Sequence, residues 1–130
     1  MKLILDTSAY SEFNRGNAKL KEWFQSDHEI IVPLIVVGEL RAGFAAGNRR
    51  DDNEQLLQRF LDSPNVYTAS ITDETTHVFA QAYLELRLAG TPVGTNDLWI
   101  AAISIEHQCP LLTVDSDFSR IKALELLNSW

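Results

Sequence analysis

Cysteine is almost missing from this chain: Cys109 is the only one in 130 residues. An internal disulfide is therefore excluded, and nothing argues against a reducing compartment. Proline and glycine are also few, four and six, and they are scattered. With no linker, repeat or low-complexity tract to divide it, residues 1–130 read as a single domain. No apolar run approaches the roughly 18 residues that a membrane span needs, and Met1 to Asp6 is too short for a signal peptide. The expected compartment is the cytoplasm. Positive charge is scarce as well. Eleven Lys and Arg stand against eighteen Asp and Glu, for a formal charge of −7. That is no basic platform for nucleic acid, whose phosphates call for Lys and Arg. What the chain does have is an ordinary globular hydrophobic fraction of 45%, enough to bury a core without staples.

Apolar patterning divides the chain into short strands and longer helices. Lys2 to Leu5 reads as a buried strand stopped by Asp6-Thr7-Ser8. Helix is expected from about Ala9 to Ser26, interrupted near Gly16, with Leu20, Trp23 and Phe24 on one face. Glu29 to Val32 is β-branched and closed by Pro33, which favours strand. A helix through Glu39 to about Ala46 should end at Gly47, where glycine suits the position just past a helix. Asp51 to Asp62 is amphipathic, Asn65 to Ala69 is a short strand, and Thr72 to Ala89 is the clearest helix. The stripe of that helix is Val78, Phe79, Ala82, Tyr83 and Leu86, and Gly90 follows it. Asn96 is a good N-cap for a buried helix to about Gln108. Leu111 to Val114 is a strand delivering Asp115, and Leu124 to Leu127 is the last. Such alternation predicts an α/β fold with a parallel sheet covered on both faces.

In sheets of this kind, ligands bind beyond the carboxyl ends of the strands, at a point where the strand order reverses. Asp6 ends the first strand and Asp115 a late one, Asp97 opens a helix, and Glu39 lies early in the helix after the second strand. Four acids far apart in sequence can therefore converge on one edge of the sheet. Packed like charges raise each other's pKa and strain the fold unless a cation neutralises them. Oxygen-only ligands suit Mg²⁺ or Mn²⁺, and that pairing suits phosphoryl transfer. Taken singly, each acid has a plainer explanation. Asp6 can terminate a strand in a turn, Asp97 can be first-turn helix charge, and Asp115 with Asp117 can form an Asx turn. Glu39 is harder to dismiss, because Val36, Val37, Gly38 and Leu40 surround it and an unpaired carboxylate is expensive among apolar groups. The charge balance also changes once these acids are set aside. Without Asp6, Glu39, Asp97, Asp115 and Asp117, thirteen acids face eleven bases.

Four segments resemble the motifs of PIN-domain nucleases, in order and across essentially the whole chain. They are Asp6-Thr7-Ser8 after the first strand, Val37-Gly38-Glu39-Leu40-Arg41-Ala42-Gly43, Gly94-Thr95-Asn96-Asp97-Leu98-Trp99-Ile100-Ala101-Ala102, and Thr113-Val114-Asp115-Ser116-Asp117-Phe118. Length and the lack of an added domain match the VapC-like toxins of toxin–antitoxin pairs best. The resemblance implies a three-layer fold, with helices around a four- or five-stranded parallel sheet, and a Mg²⁺- or Mn²⁺-dependent endoribonuclease. On this resemblance Asp6 and Asp97 are the principal metal ligands, Glu39 binds metal or activates water, and Asp115 completes the site. Asp117 plays a supporting part. Thr7 and Thr113 hydrogen-bond the carboxylates, a role that suits their hydroxyls independently. The resemblance also implies an RNA substrate, a cognate antitoxin covering the acidic site, and a homodimer.

Other residues add less. Arg15, Arg41, Arg49 and Arg50 are candidates to guide an RNA backbone, Arg41 foremost because it lies two positions from Glu39, yet arginines beside acids are often only salt-bridged. Trp23 and Trp99 read as core, and Phe44 as core or the lining of a partner groove. His28, His77 and His107 lack metal-ligand spacing and read as surface or capping residues. Cys109 reads as a small buried hydrophobe. Among rival functions, a haloacid-dehalogenase-like phosphatase wants a second Asp where Ser8 stands. A receiver-like domain wants an acidic pair near the first strand and a late lysine after a strand, and neither is present. A catalytically silent PIN-like module that binds RNA or a partner is the remaining alternative, against which the intact acids argue.

Overall fold

A computed structural model describes residues 1–25 and 27–127. Strands β1 (Lys2–Leu5), β2 (Glu29–Pro33), β3 (Val66–Ala69), β4 (Leu111–Leu112) and β5 (Leu126–Leu127) form one sheet in the order β3-β2-β1-β4-β5. Every neighbouring pair is parallel. Between the strands run α1 (Thr7–Asn14), α2 (Ala18–Gln25), α3 (Leu34–Ala46), α4 (Arg50–Leu61), α5 (Asp73–Ala89) and α6 (Thr95–His107), and a 3₁₀ turn, Ser116–Arg120, precedes β5. The α/β class and the parallel sheet follow the sequence reading, and the strand number is five.

The central strands carry unbroken apolar runs because both faces of the sheet are covered. Leu3, Ile4, Leu5, Leu111 and Leu112 are fully buried, and Leu20, Val36, Leu57, Ile100 and Ile103 close over them from the helices. Tyr10, Phe13, Phe24 and Phe60 form an aromatic cluster tying α1, α2 and α4 together. Trp23 and Phe44 pack partly buried against the core, and Cys109 is buried at its edge. No helix among the described residues is long and apolar enough to cross a membrane.

The differences from expectation are local. The first helical stretch does break near Gly16, into α1 and α2, while its expected end at Ser26 lies outside the described residues. Gly47 ends α3 in an extended conformation (φ −98°) rather than a left-handed one, with its N–H bonded to the Phe44 carbonyl. The left-handed stop is at Gly90 (φ +69°), after a helix opened by a Thr72/Thr75 capping box. Asn96 is not an N-cap. Gly94 holds the extended cap position and Thr95 is already helical, so Asn96 falls inside the first turn. On α5 the buried stripe runs through Thr75, Ala82 and Leu86, and Tyr83 is exposed beside it. Trp99 is only half-buried, stacked on Phe79 with ring centroids 3.8 Å apart. β4 spans only Leu111–Leu112; Thr113 N–H still donates to the Leu127 carbonyl at 3.2 Å, and the backbone pairing is lost at Val114, whose N–H donates to Ser8 Oγ at 3.2 Å. β5 begins at Leu126 rather than Leu124, whose N–H is used in a turn to the Ile121 carbonyl at 3.2 Å.

Candidate active site

The chain runs outward from β1 to β2 and β3 on one side, then crosses back to place β4 against the other side of β1. The reversal therefore lies between β1 and β4, the position at which open parallel sheets bind ligands. Asp6 leaves β1 there and Thr113 to Asp115 leave β4, while α3, springing directly from β2, carries Glu39. The fold brings these segments to one end of the sheet.

Asp6 is buried and serves first as the N-cap of α1, its Oδ1 accepting from Ala9 N–H at 2.9 Å. The turn explanation and a site role thus coincide in one residue. Thr113 Oγ1 donates to Asp6 Oδ2 at 2.6 Å, and Ser8 Oγ lies 2.9 and 3.0 Å from the two Asp6 oxygens. The Asp6 pKa is raised by burial, an effect that these hydrogen bonds oppose and the charge of Asp115 reinforces. Thr7 Oγ1 donates to Glu39 Oε1 at 2.9 Å. Asp115 is fixed through its backbone, whose N–H donates to Thr113 Oγ1 at 2.9 Å, and its Oδ1 accepts the Asp117 N–H at 2.9 Å. An Asx turn is therefore present, and it aims two acids together.

Asp97, Asp115 and Asp117 each offer a carboxylate oxygen, and these three atoms lie within 4.8 Å of one another. Asp97 feels the whole group. Its pKa is pushed up to about 6, first by burial and then by the charges of Asp115, Glu39, Asp6 and Asp117. Carboxylates crowded in this way form a hard, all-oxygen donor set of the kind that holds Mg²⁺ or Mn²⁺. The tight trio includes Asp117, which the sequence reading gave only a supporting part. Asp6 and Glu39 stand around it, each already engaged by hydroxyl donors.

Three of the arginine candidates pair with acids outside the cluster, Arg49 with Asp52 at 3.6 Å among them. Arg41 pairs with Glu54 at 2.8 Å and Arg15 with Glu12 at 2.6 Å, all at least partly exposed. Two residues at the site were not singled out from the sequence. Ser8 entered as the end of the Asp6-Thr7-Ser8 motif and as the missing aspartate of a phosphatase, with no role of its own, yet it joins the α1 and β4 segments. Arg120, whose Nη2 lies 3.5 Å from Asp117 Oδ1, left no signal beyond its position three residues after Asp117.

Residues 3–124 match the PIN domain. The chain belongs to the PIN-domain family. Among curated PIN-domain relatives, Ribonuclease VapC5 of Mycobacterium tuberculosis is 29% identical over 118 residues, which is 91% of this chain and 86% of that protein. Ribonuclease VapC of Rickettsia bellii is 33% identical over 129 residues, 98% and 96% of the two chains. Among solved structures, VapBC2 from Rickettsia felis, bound to a DNA fragment from its promoter, superimposes with a TM-score of 0.86 at 25% identity, covering 98% of each chain. The PIN fold thus spans nearly the whole of this chain, and the acid-bearing motifs occupy its switch point.

Proposed function

We propose that this PIN-domain chain is an endoribonuclease and the toxin component of a toxin–antitoxin pair, cutting RNA phosphodiesters with the help of Mg²⁺ or Mn²⁺. The observation that carries the reading is the convergence of Asp97, Asp115 and Asp117, with Asp6 and Glu39 beside them, at the switch point of the sheet. Support comes from relatives named ribonucleases and from a neighbour solved as a VapBC assembly. The donor set fits a hard divalent cation, since every candidate ligand is a carboxylate, and the burial and neighbouring charges that raise the Asp97 pKa are both penalties on its charge that such a cation offsets. Bound there, the cation would polarise the scissile phosphate and supply a water nucleophile at neutral pH.

The chain's own residues do the rest. Asp97, Asp115 and Asp117 would hold the cation, with Asp6 and Glu39 completing the set. Thr113 and Ser8 keep the Asp6 carboxylate in one orientation, and Thr7 does the same for Glu39. Arg15 and Arg41 would reach an RNA backbone only by leaving Glu12 and Glu54. The proposal extends to residues 1–130 as one domain, a cytoplasmic setting, a homodimer, and a cognate antitoxin over the acidic site.

The test is cleavage of a mixed cellular RNA pool by the purified chain beside Asp6→Asn, with Mg²⁺, Mn²⁺ or EDTA. Discrete fragments that need the metal and vanish in the variant support the proposal and reveal the substrate. Cleavage that persists in EDTA or in Asp6→Asn would overturn it. No cleavage at all, with metal still raising the melting temperature, would leave a silent binding module as the better reading.

A further inference from the structure

One cation touches the acid cluster and has no part in the proposed function. Arg120 ends the 3₁₀ turn that carries Asp117, and among the described residues it is the only cation in an ion pair with any of the five acids. Its Nη2 lies 3.5 Å from Asp117 Oδ1, while Nη1 donates to the Pro92 carbonyl at 3.1 Å. Pro92 stands two residues before Gly94, the cap from which α6 starts, and Asp97 lies in the first turn of that helix. One guanidinium therefore ties the segment bearing Asp115 and Asp117 to the segment that delivers Asp97. The two segments are otherwise far apart in the chain. As an isolated half-exposed pair, Arg120–Asp117 would contribute little. A planar fork that holds a carboxylate and a backbone carbonyl at once does something a point charge cannot: it fixes their mutual position.

We propose that Arg120 is a positioning residue, whose bridge from Asp117 to the Pro92 carbonyl holds the Asp117 carboxylate in register with Asp97. This rests on the reading of the acid trio as a divalent-cation site. Simple electrostatics and positioning predict opposite signs. A positive charge beside a cation site repels the cation, so removing it should tighten binding if charge were all that mattered. Loss of a positioning group should loosen it, roughly tenfold, the lower end of the range for residues that orient metal ligands.

The experiment is calorimetric titration of the full chain with Mn²⁺, without RNA, for the parent, Arg120→Ala, Arg120→Lys and Lys122→Ala. Lys122 removes the same charge two residues on. The expected result is about tenfold weaker binding by Arg120→Ala, weaker binding by Arg120→Lys, and unchanged or tighter binding by Lys122→Ala. Arg120→Ala binding Mn²⁺ as tightly as the parent or more so would overturn the inference, and so would weakening of equal size in Lys122→Ala. Melting in EDTA shows whether each variant folds. If Arg120→Ala does not, Arg120→Lys decides, since it keeps the charge and loses the fork, and parent-like binding by it would refute positioning. A parent that binds no Mn²⁺ would instead sink the site reading, and the inference with it.

Discussion

Replacing Asp97 by Asn should stabilise the metal-free protein and destabilise it relative to the parent once metal is added. The folded carboxyl has its pKa raised from 3.8 to about 6, by burial and by Asp115, Glu39, Asp6 and Asp117. An acid whose pKa is raised by folding holds its proton more tightly in the folded state. Its charge therefore weakens the fold as pH climbs from about 4 to about 6, and the full penalty is present at pH 7. Two pKa units correspond to about 3 kcal/mol. Solvent contact at this partly exposed side chain cuts that to about 1–2 kcal/mol, and Asn forfeits a favourable first-turn charge worth about 0.5 kcal/mol. The net gain for Asp97→Asn in EDTA at pH 7 is about 1 kcal/mol, or about 4 °C in melting temperature for a chain of this size. The gain should fade as pH falls toward 4. With Mn²⁺ at a hundred times its Kd, the parent gains about 2.7 kcal/mol by mass action. The variant, lacking one of three clustered carboxylates, gains less, and the order reverses. Melting curves at pH 4, 5, 6 and 7, each in EDTA and in Mn²⁺, test this directly. If Asp97→Asn melts below the parent in EDTA at pH 7, burial and the neighbouring carboxylates do not penalise the Asp97 charge as argued, and the reasoning is wrong.

Thr113→Val keeps shape but removes the donor to Asp6 and the acceptor for Asp115 N–H, so urea unfolding should show a loss of about 2–3 kcal/mol; an unchanged midpoint would mean that water replaces both bonds. Gly90→Ala should cost about 1 kcal/mol by thermal melting, entirely from backbone strain at φ +69°, because an added Cβ there meets nothing within 4 Å. Leu57→Ala, at a fully buried position of α4, should cost about 3 kcal/mol in the same assay.

Most of the fold was legible because doubly covered strands and amphipathic helices leave distinct periodicities. Leu3 to Leu5 and Ile30 to Val32 read best as buried strands, short and bounded by turn residues, and the α5 stripe with Gly90 just past its end marked a helix. What escaped the sequence was decided by contacts between distant segments. Asn96 has the chemistry of a cap, but the chain enters α6 from Gly94, two residues after Pro92, whose carbonyl is held by Arg120 of the distant 3₁₀ turn. Val114 has the character of a strand residue, yet its N–H is taken by Ser8, which comes from the other end of the chain. Tyr83 follows the helical spacing and still faces outward, because α6 covers the Ala82 and Leu86 side of α5.

The acids were legible for a different reason. A carboxylate among apolar neighbours is costly wherever it stands, so Glu39 calls for an explanation on its sequence surroundings alone, while Asp6, which a turn could explain by itself, became legible only together with the other acids. Ser8 and Arg120 are cheap residues in ordinary surroundings, and nothing about them demands one. Their importance comes only from which carboxylates they touch, a fact of three dimensions. The overall acidity reads differently once the five acids are located. Five of the seven excess negative charges are gathered at one sheet end, where burial and the neighbouring charges push the Asp97 pKa up to about 6. A chain built for stability alone would dilute that charge. Keeping it concentrated makes the metal-free fold weaker at neutral pH than it need be, and it makes stability there depend on whatever neutralises the cluster.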